Sequence, residues 1–312
     1  MNLDPHPGEN RGLGNWQVFE SLFWRYRIPA FAGMIGKRRK SIFSHTLSDQ
    51  GGDLKREFME TVNAEEFYNR LAGAFDIMTD WQKRLALEMP FLEKTLRARS
   101  ALSVLDTACG TGWHSIALAR KGFAAAGSDA SPAMIERARQ NAAASRVSVF
   151  FAVADFSQLV KIPGTFDALL CLGNSLPHVL SEPALRETFR QMKGKIRAGG
   201  AIILHNLNYD LRWKKQPRFF AAEGNAENIV WRFADYGAEF VTFHTALFER
   251  NASTPSRWSV KVNSTLQKPW LSGDLDRILN EEGFQKIQHF GGLDGSSYDP
   301  DQSGDLVIIA SL

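Results

Sequence analysis

Val104-Leu105-Asp106-Thr107-Ala108-Cys109-Gly110-Thr111-Gly112 decides how this chain is read: an apolar run ends in a carboxylate, turns through two glycines and passes into a helix-like stretch. The next apolar run then closes on Ser128-Asp129. A glycine turn between strand and helix lets the backbone approach a ligand closely, as in dinucleotide-binding folds. A doubly negative pyrophosphate would be repelled by a carboxylate in the position of Asp106. S-adenosylmethionine carries an ammonium and a sulfonium and no phosphate, so the acidic residue is complementary to that cofactor. Asp129 is then placed to accept hydrogen bonds from ribose hydroxyls.

Composition bounds what surrounds this motif. With 312 residues, 44% hydrophobic and 23% charged, the chain can bury a sizeable core as one large domain or one domain with additions. Charges and prolines interrupt the apolar runs well short of the roughly 18 residues a membrane span needs. A secretory leader pattern is absent, and the two cysteines, Cys109 and Cys171, make no disulfide framework, so the expected location is the cytoplasm, with no membrane partner. Residues 1–58 hold nine of the 37 Lys and Arg and six of the 34 Asp and Glu, leaving 28 of each sign for the rest. That neutral remainder argues against a nucleic-acid partner, and Lys37-Arg38-Arg39-Lys40 reads as a solvated patch.

Residues 1–58 lack sustained periodicity and are expected to be an irregular extension. The segment Arg27-Ile28-Pro29-Ala30-Phe31-Ala32-Gly33-Met34 resembles translated dispersed genomic repeats, which suggests a start assigned too early and a functional chain beginning at Met59. From Asn63 the pattern changes: Asn63 and Glu66 make a capping box, and Phe67, Leu71, Phe75 and Met78 recur at helical spacing. Beyond a second helix at 82–97, strands at 101–105, 123–128, 147–153, 166–172 and 201–206 alternate with helices at 112–120, from Ser131-Pro132, and at 182–197 closed by Gly199-Gly200. Such alternation predicts an α/β doubly wound, mostly parallel seven-stranded sheet. Period-2 runs at 229–236, 239–248 and 257–266 predict an antiparallel insertion, spanning 210–268, beside the sheet's carboxyl edge. A helix at 271–282 and strands at 284–290 and 306–310 close a domain running from 59 to 312.

The chain resembles class I S-adenosylmethionine-dependent methyltransferases, and within them the glycine and sarcosine N-methyltransferase group, from about Ala64 to Leu312. The blocks carrying the resemblance are Phe67-Tyr68-Asn69-Arg70-Leu71-Ala72, Leu105 to Gly112, Gly127 to Ile135, Ala154-Asp155-Phe156, Cys171-Leu172-Gly173-Asn174-Ser175 with His178, and Asn208-Tyr209-Asp210. By this resemblance Asp106, Ala108, Gly110 and Gly112 surround the methionine part of the cofactor. Asp129 meets the ribose, Asp155 and Phe156 hold adenine, and Ala130 and Met134 from the Gly127–Ile135 block are further cofactor contacts. Leu172 lines the sulfonium side, with Tyr68 and Trp81 closing over it.

Methyl transfer from sulfonium to nitrogen is an in-line displacement whose leaving group needs no proton, so positioning and desolvation suffice and neither nucleophile nor metal is required. Asn174, His178, Asn208 and Tyr209 are the candidates to orient a small-molecule acceptor or take its proton. The seven histidines have no metal spacing. One departure bears on the acceptor. Glycine-binding members of the group carry an arginine immediately before the Asn-Tyr-Asp block, where it clamps the substrate carboxylate, and here that position is Leu207. Glycine is therefore expected to bind poorly unless Arg212 or Arg232 reaches in. The leading expectation is methylation of a small amine or other nucleophile that lacks this carboxylate requirement. An oxygen acceptor and a non-catalytic S-adenosylmethionine sensor stand as alternatives, and a homo-oligomer is left open.

Overall fold

The computed structural model describes residues 61–251 and 258–312, so the expected extension and the proposed start at Met59 lie outside the described residues. A short strand β1 (Thr61–Val62) leads into helix α1 (Ala64–Leu71), whose first turn is capped by Asn63 Oδ1 accepting from the Glu66 amide at 2.9 Å. The helix does not continue through Phe75 and Met78 as their spacing predicts. It ends at Leu71, and Phe75–Met78 form a separate 3-10 turn before helix α2 (Trp81–Arg97). The break turns Asp76 toward the glycine loop, as its hydrogen bonds there show.

The alternating segment then builds β2 (Ser103–Asp106), α3 (Trp113–Arg120), β3 (Ala124–Asp129), α4 (Pro132–Ala144), β4 (Phe150–Val153), β5 (Phe166–Cys171), α5 (Glu182–Lys193) and β6 (Ile196–Leu207). Ser131 caps α4 with Pro132 in its first turn, as read from sequence. Gly199-Gly200 does not close α5, which stops at Lys193. The pair instead sits inside β6, at a bulge where pairing with β5 jumps from Phe166–Ile196 to Ala168–Ala201. Glycine is required there: Gly199 has φ +79°, and a Cβ on Gly200 would lie 2.6 Å from the Asp167 carbonyl oxygen.

After β6 come helix α6 (Tyr209–Lys215) and strand β7 (Phe219–Gly224), which sequence periodicity did not reveal. The expected meander follows as β8 (Asn228–Tyr236), β9 (Val241–Arg250) and β10 (Trp258–Gln267). Helix α7 (Ser272–Glu281) and strands β11 (Gln285–Phe290) and β12 (Asp305–Ser311) complete the described chain. Two sheets result. The larger runs β11-β12-β6-β5-β2-β3-β4, parallel from β4 to β6, with β12 antiparallel to its neighbours on both sides. The smaller runs β1-β10-β9-β8-β7.

Hydrophobic clusters cover both faces of the larger sheet, with Leu185, Phe189, Leu275 and Phe284 on one side and Met89, Leu92, Leu96 and Leu118 on the other. This is the doubly wound arrangement expected. The smaller sheet lays Val230 and Leu247 against Phe67, Leu71 and Met78, and Ala234 and Val241 against Tyr209. It thereby covers the region where the strands of the larger sheet end. Among the described residues, no helix is long and apolar enough to cross a membrane.

Candidate active site

The glycine turn is held open by its own acids. Gly110 and Gly112 have φ +52° and +83°, and the Gly110 amide donates to Asp129 Oδ2 at 2.9 Å, while Asp129 Oδ1 accepts from the Ser131 amide at 2.9 Å. A Cβ on Gly112 would stand 2.8 Å from the Phe151 ring and 2.9 Å from Ala138, so only glycine lets α4 and β4 close this tightly. Ala108 and Ala130 follow the two strand-end acids, and Met134 is buried in the first turn of α4.

Asp106 is 2% exposed and, among the described residues, makes no ion pair and accepts one long hydrogen bond, 3.4 Å from the Ala108 amide. Burial pushes its carboxyl up to about 7; the Ala108 amide and the Arg84 charge oppose this, and nearby Asp129 reinforces it. Burial also raises Asp129. Two buried acids short of a cation fit a ligand that brings one, so the residues present suit the ammonium and sulfonium of S-adenosylmethionine.

Asp76, which sequence reading missed, ties the N-terminal segment over this turn. Its Oδ1 accepts from Thr111 Oγ1 at 2.6 Å, Trp81 Nε1 at 2.9 Å and Trp113 Nε1 at 3.2 Å, and its Oδ2 meets Arg137 and Asn141 at 3.4 Å each. Phe75 reaches within 3.6 Å of where a Gly110 side chain would begin, and Asn69 Oδ1 accepts from Ser131 Oγ at 2.6 Å. Trp81 is thus fixed beside Trp113 as α3 leaves the turn, with Arg84 over its ring at 5.1 Å. Arg84 in turn pairs with Glu88, which also bonds His114 at 2.6 Å. Burial pushes Glu88 up, but the His114 bond and the Arg84 charge outweigh it and hold the carboxyl near 2. No sequence pattern marked Asp76 or Arg84.

A ring of polar side chains stands at the end of β5. Gly173 and Asn174 both adopt the left-handed region, which turns the chain sharply after the buried Leu172. Asn174 Oδ1 accepts from the Leu207 amide at 3.0 Å, and its Nδ2 reaches the Tyr209 hydroxyl at 3.2 Å. That hydroxyl donates to Gln267 Oε1 at 2.9 Å. His178 Nε2 lies 3.1 Å from the Tyr68 hydroxyl and 3.4 Å from Gln267 Nε2. Burial pushes the His178 imidazole down to about 4. Gln267 escaped the sequence reading because Asn263, Ser264, Thr265 and Gln267 are all buried in β10, so no alternation of polar residues marks it.

Not every candidate joins this ring. Asn208 is fully buried and spends its side chain structurally: Nδ2 donates to the Pro300 and Ser303 carbonyls at 3.1 and 2.9 Å, and Oδ1 caps α6 and accepts from Tyr298. Its effect on the ring is to place Tyr209. Asp155 Oδ1 caps its own loop through the Ser157 amide and hydroxyl at 2.8 and 2.7 Å, while Phe156 is half-buried against the core. Leu207, the residue that departs from the arginine of the resemblance, packs with Tyr209, Ala234 and Val241. Both cysteines are buried and free, and no cluster suited to a metal ion occurs among the described residues.

An acid-flanked glycine turn on this sheet order defines the class of S-adenosylmethionine-dependent methyltransferases. Residues 104–200 match the family model described as a methyltransferase domain. The glycine/sarcosine N-methyltransferase of Parasynechococcus marenigrum (strain WH8102) is 31% identical over 238 residues, 76% of this chain and 82% of that protein. The enzyme of the same name from Aphanothece halophytica is 30% identical over 78% of this chain and 91% of its own length. The chain belongs to this glycine/sarcosine N-methyltransferase family and is an enzyme that uses S-adenosylmethionine. A solved S-adenosylmethionine-dependent methyltransferase from Clostridium acetobutylicum shares the fold at 16% identity, with a TM-score of 0.65 over 79% of this chain and 98% of that one.

Proposed function

We propose that the chain methylates the nitrogen of a small amine, with Asn174, His178, Tyr209 and Gln267 facing the acceptor. The observation that carries this reading is the uncharged polar ring at the end of β5, beside a buried glycine turn whose acids make no ion pair among the described residues. S-adenosylmethionine, when bound, supplies an electrophilic methyl on a sulfonium. The protein's part is to hold an unprotonated nitrogen in line and keep water out. A His178 imidazole neutral at pH 7 can accept a hydrogen bond from an amine, where an imidazolium could not. Tyr209 and Asn174 fix the acceptor's direction, and Asn208 acts as a positioning residue for Tyr209.

On the cofactor side the same reading assigns Asp106, Ala108, Gly110 and Gly112 to the methionine part, with Tyr68, Trp81 and Leu172 around the sulfonium. It assigns Asp129 to ribose, Asp155 and Phe156 to adenine, and Ala130 and Met134 to the cofactor site beside them. The relatives' names support nitrogen as the acceptor atom. The near-equal charge balance outside residues 1–58 supports a small acceptor over a nucleic acid.

The test is incubation with methyl-labelled S-adenosylmethionine and a panel of small amines and alcohols, read by mass spectrometry. Labelled N-methyl products are expected. Exclusive O-methylation, or cofactor binding without any product, would overturn the proposal and favour the oxygen or sensor reading.

A further inference from the structure

Resting on the reading of this site as an amine methyltransferase, we infer that Gln267 is a positioning residue that fixes the tautomer of His178, with the proton on Nδ1 and the Nε2 lone pair left for the acceptor. The direction of the hydrogen bonds around the ring carries this, and it starts from one backbone amide. The Leu207 N–H only donates, so the Asn174 atom that receives it at 3.0 Å is Oδ1, and Nδ2 points the other way. Nδ2 bears only hydrogens. The Tyr209 hydroxyl, 3.2 Å from it, therefore accepts from Asn174 and spends its own proton on Gln267, 2.9 Å away. The Gln267 atom facing Tyr209 is thus Oε1, which Asn174 Nδ2 also approaches at 3.4 Å. A turned-over amide would set hydrogens against hydrogens and leave the Tyr209 proton without an acceptor.

The nitrogen end of the same amide then faces His178 Nε2, at 3.4 Å. An amide nitrogen donates and does not accept, so the imidazole nitrogen opposite it is bare. The Tyr68 hydroxyl, 3.1 Å from that nitrogen, can donate or accept and follows whichever tautomer is present. Gln267 has no such freedom. Tyr209 and Gln267 are buried, and the backbones on the two sides are pinned together: the Lys268 amide donates to the Pro177 carbonyl at 2.7 Å, and Trp270 Nε1 to the Val179 carbonyl at 2.9 Å.

The titratable groups around the imidazole are Tyr68 on α1, whose hydroxyl feels Asp129 and Arg232, Tyr209 on α6, and Lys268, whose ammonium lies over the Phe240 ring. Among the described residues no carboxylate contacts the imidazole, and the Leu266 backbone favours its Nδ1 proton. Protonation of Nε2 would press its hydrogen against the Gln267 amide. The amine therefore enters as the neutral base, having left its proton in solvent, and His178 holds it by accepting one N–H.

Two measurements on the full chain test this, and the first needs no turnover. In the S-adenosylhomocysteine complex near pH 7, nitrogen NMR of labelled histidine distinguishes a bare ring nitrogen from a protonated one, and the His178 signals are identified by their loss in His178→Gln. The expected wild-type state is Nε2 bare and Nδ1 protonated. Gln267→Glu keeps an oxygen for Tyr209 but turns a second oxygen toward His178, and should protonate Nε2 and raise its proton affinity at least about tenfold. Should that variant not fold, Asn174→Asp makes the same test, because it exchanges the donor to Tyr209 for an acceptor and lets the bonds run the other way. A wild-type ring protonated at Nε2, or one that stays bare there in the folded variant, overturns the proposal.

In the second, methyl transfer to a small primary amine is followed against pH. Gln267→Glu should lower kcat at least about tenfold near pH 7 and bring a low-pH limb of kcat into view, with the S-adenosylmethionine Kd kept within about twofold. A residue that merely supported Tyr209 would tolerate this exchange, so an unchanged kcat and pH profile also overturns the proposal. The expected NMR result in a chain that methylates no amine would support the tautomer and count against the amine reading alone.

Discussion

The Tyr68 hydroxyl lies 3.1 Å from Nε2 of His178, joining α1 to the turn after β5 across 110 residues of sequence. The contact connects the segment that covers the glycine turn with the ring proposed to face the acceptor. Its ring geometry is edge-on, with centroids 5.4 Å apart. Tyr68→Phe should lower kcat about 10- to 100-fold, as expected for loss of one positioned polar contact in a transition state. The cofactor Kd, measured by calorimetry, should move by less than about threefold. A large rise in Kd with unchanged kcat would place Tyr68 on the cofactor alone.

The low pKa of His178 has a definite consequence for stability. Its folded value of about 4 lies below the ordinary histidine value, so between about pH 6.5 and 4 the unfolded chain binds more protons than the folded one. Stability from this group is fully present above about pH 6.5 and is lost as pH falls through that window. Urea unfolding of the wild type should show this slope, and His178→Gln should flatten it. Identical slopes would show that His178 does not titrate with folding.

Asp106 works in the opposite sense. Its folded pKa is raised to about 7, so the cofactor-free protein loses stability as pH rises from about 4 to about 7. A bound cation favours the carboxylate, and proton release should accompany binding below pH 7. Calorimetry of S-adenosylhomocysteine binding in buffers of different ionisation heat should detect about one proton released near pH 6 and almost none near pH 8.5. Buried Asp129 adds in the same direction. Asp106→Asn should remove most of the release and weaken binding at least about tenfold.

Removing the carboxylate of Asp76 strands the three donors on its Oδ1, from Thr111, Trp81 and Trp113, and also removes the longer contacts to Arg137 and Asn141. Each unpaired buried donor costs on the order of 1–3 kcal/mol, less where water can reach it. Asp76→Ala should therefore lower Tm by several degrees and weaken cofactor binding about tenfold or more, because Phe75 and Trp81 lose their anchor. Asp76→Asn, which keeps the acceptor oxygen, should recover part of both. Unchanged binding in Asp76→Ala would show that the N-terminal segment is held elsewhere.

Gly112 and Gly164 have similar φ values, +83° and +79°, but different surroundings. A Cβ at Gly112 strikes Phe151 and Ala138, whereas at Gly164 it meets open space. Gly164→Ala should cost about 1 kcal/mol from backbone strain alone, and Gly112→Ala several times more with loss of cofactor binding. Chemical denaturation of both variants checks the contrast; equal costs would mean that α4 and β4 relax away from the turn.

Much of this protein was legible along the chain because local rules wrote it there. Asn63 and Ser131 announced their helices through their own side-chain chemistry, and the acid–glycine–acid pattern from Asp106 to Asp129 announced the cofactor by charge. Gly199-Gly200 misled for the same reason, since glycine marks a helix stop and a strand bulge alike, and only the approach of the Asp167 carbonyl decides between them.

What the sequence determined by itself, then, was the doubly wound sheet, the glycine turn and the identity of the cofactor, all of which depend on periodicity and on residues close together in the chain. Tertiary structure decided the rest. Asp76 carries no motif, and it matters because a break after Leu71 swings it onto Thr111, 35 residues away. Asn208 caps α6 and donates to the Pro300 and Ser303 carbonyls, partners more than 90 residues away that no sequence pattern announced. Arg232 is one arginine among many in the sequence. Its place in β8 buries its Nε without a hydrogen-bond partner among the described residues, and that is a property of the space around it.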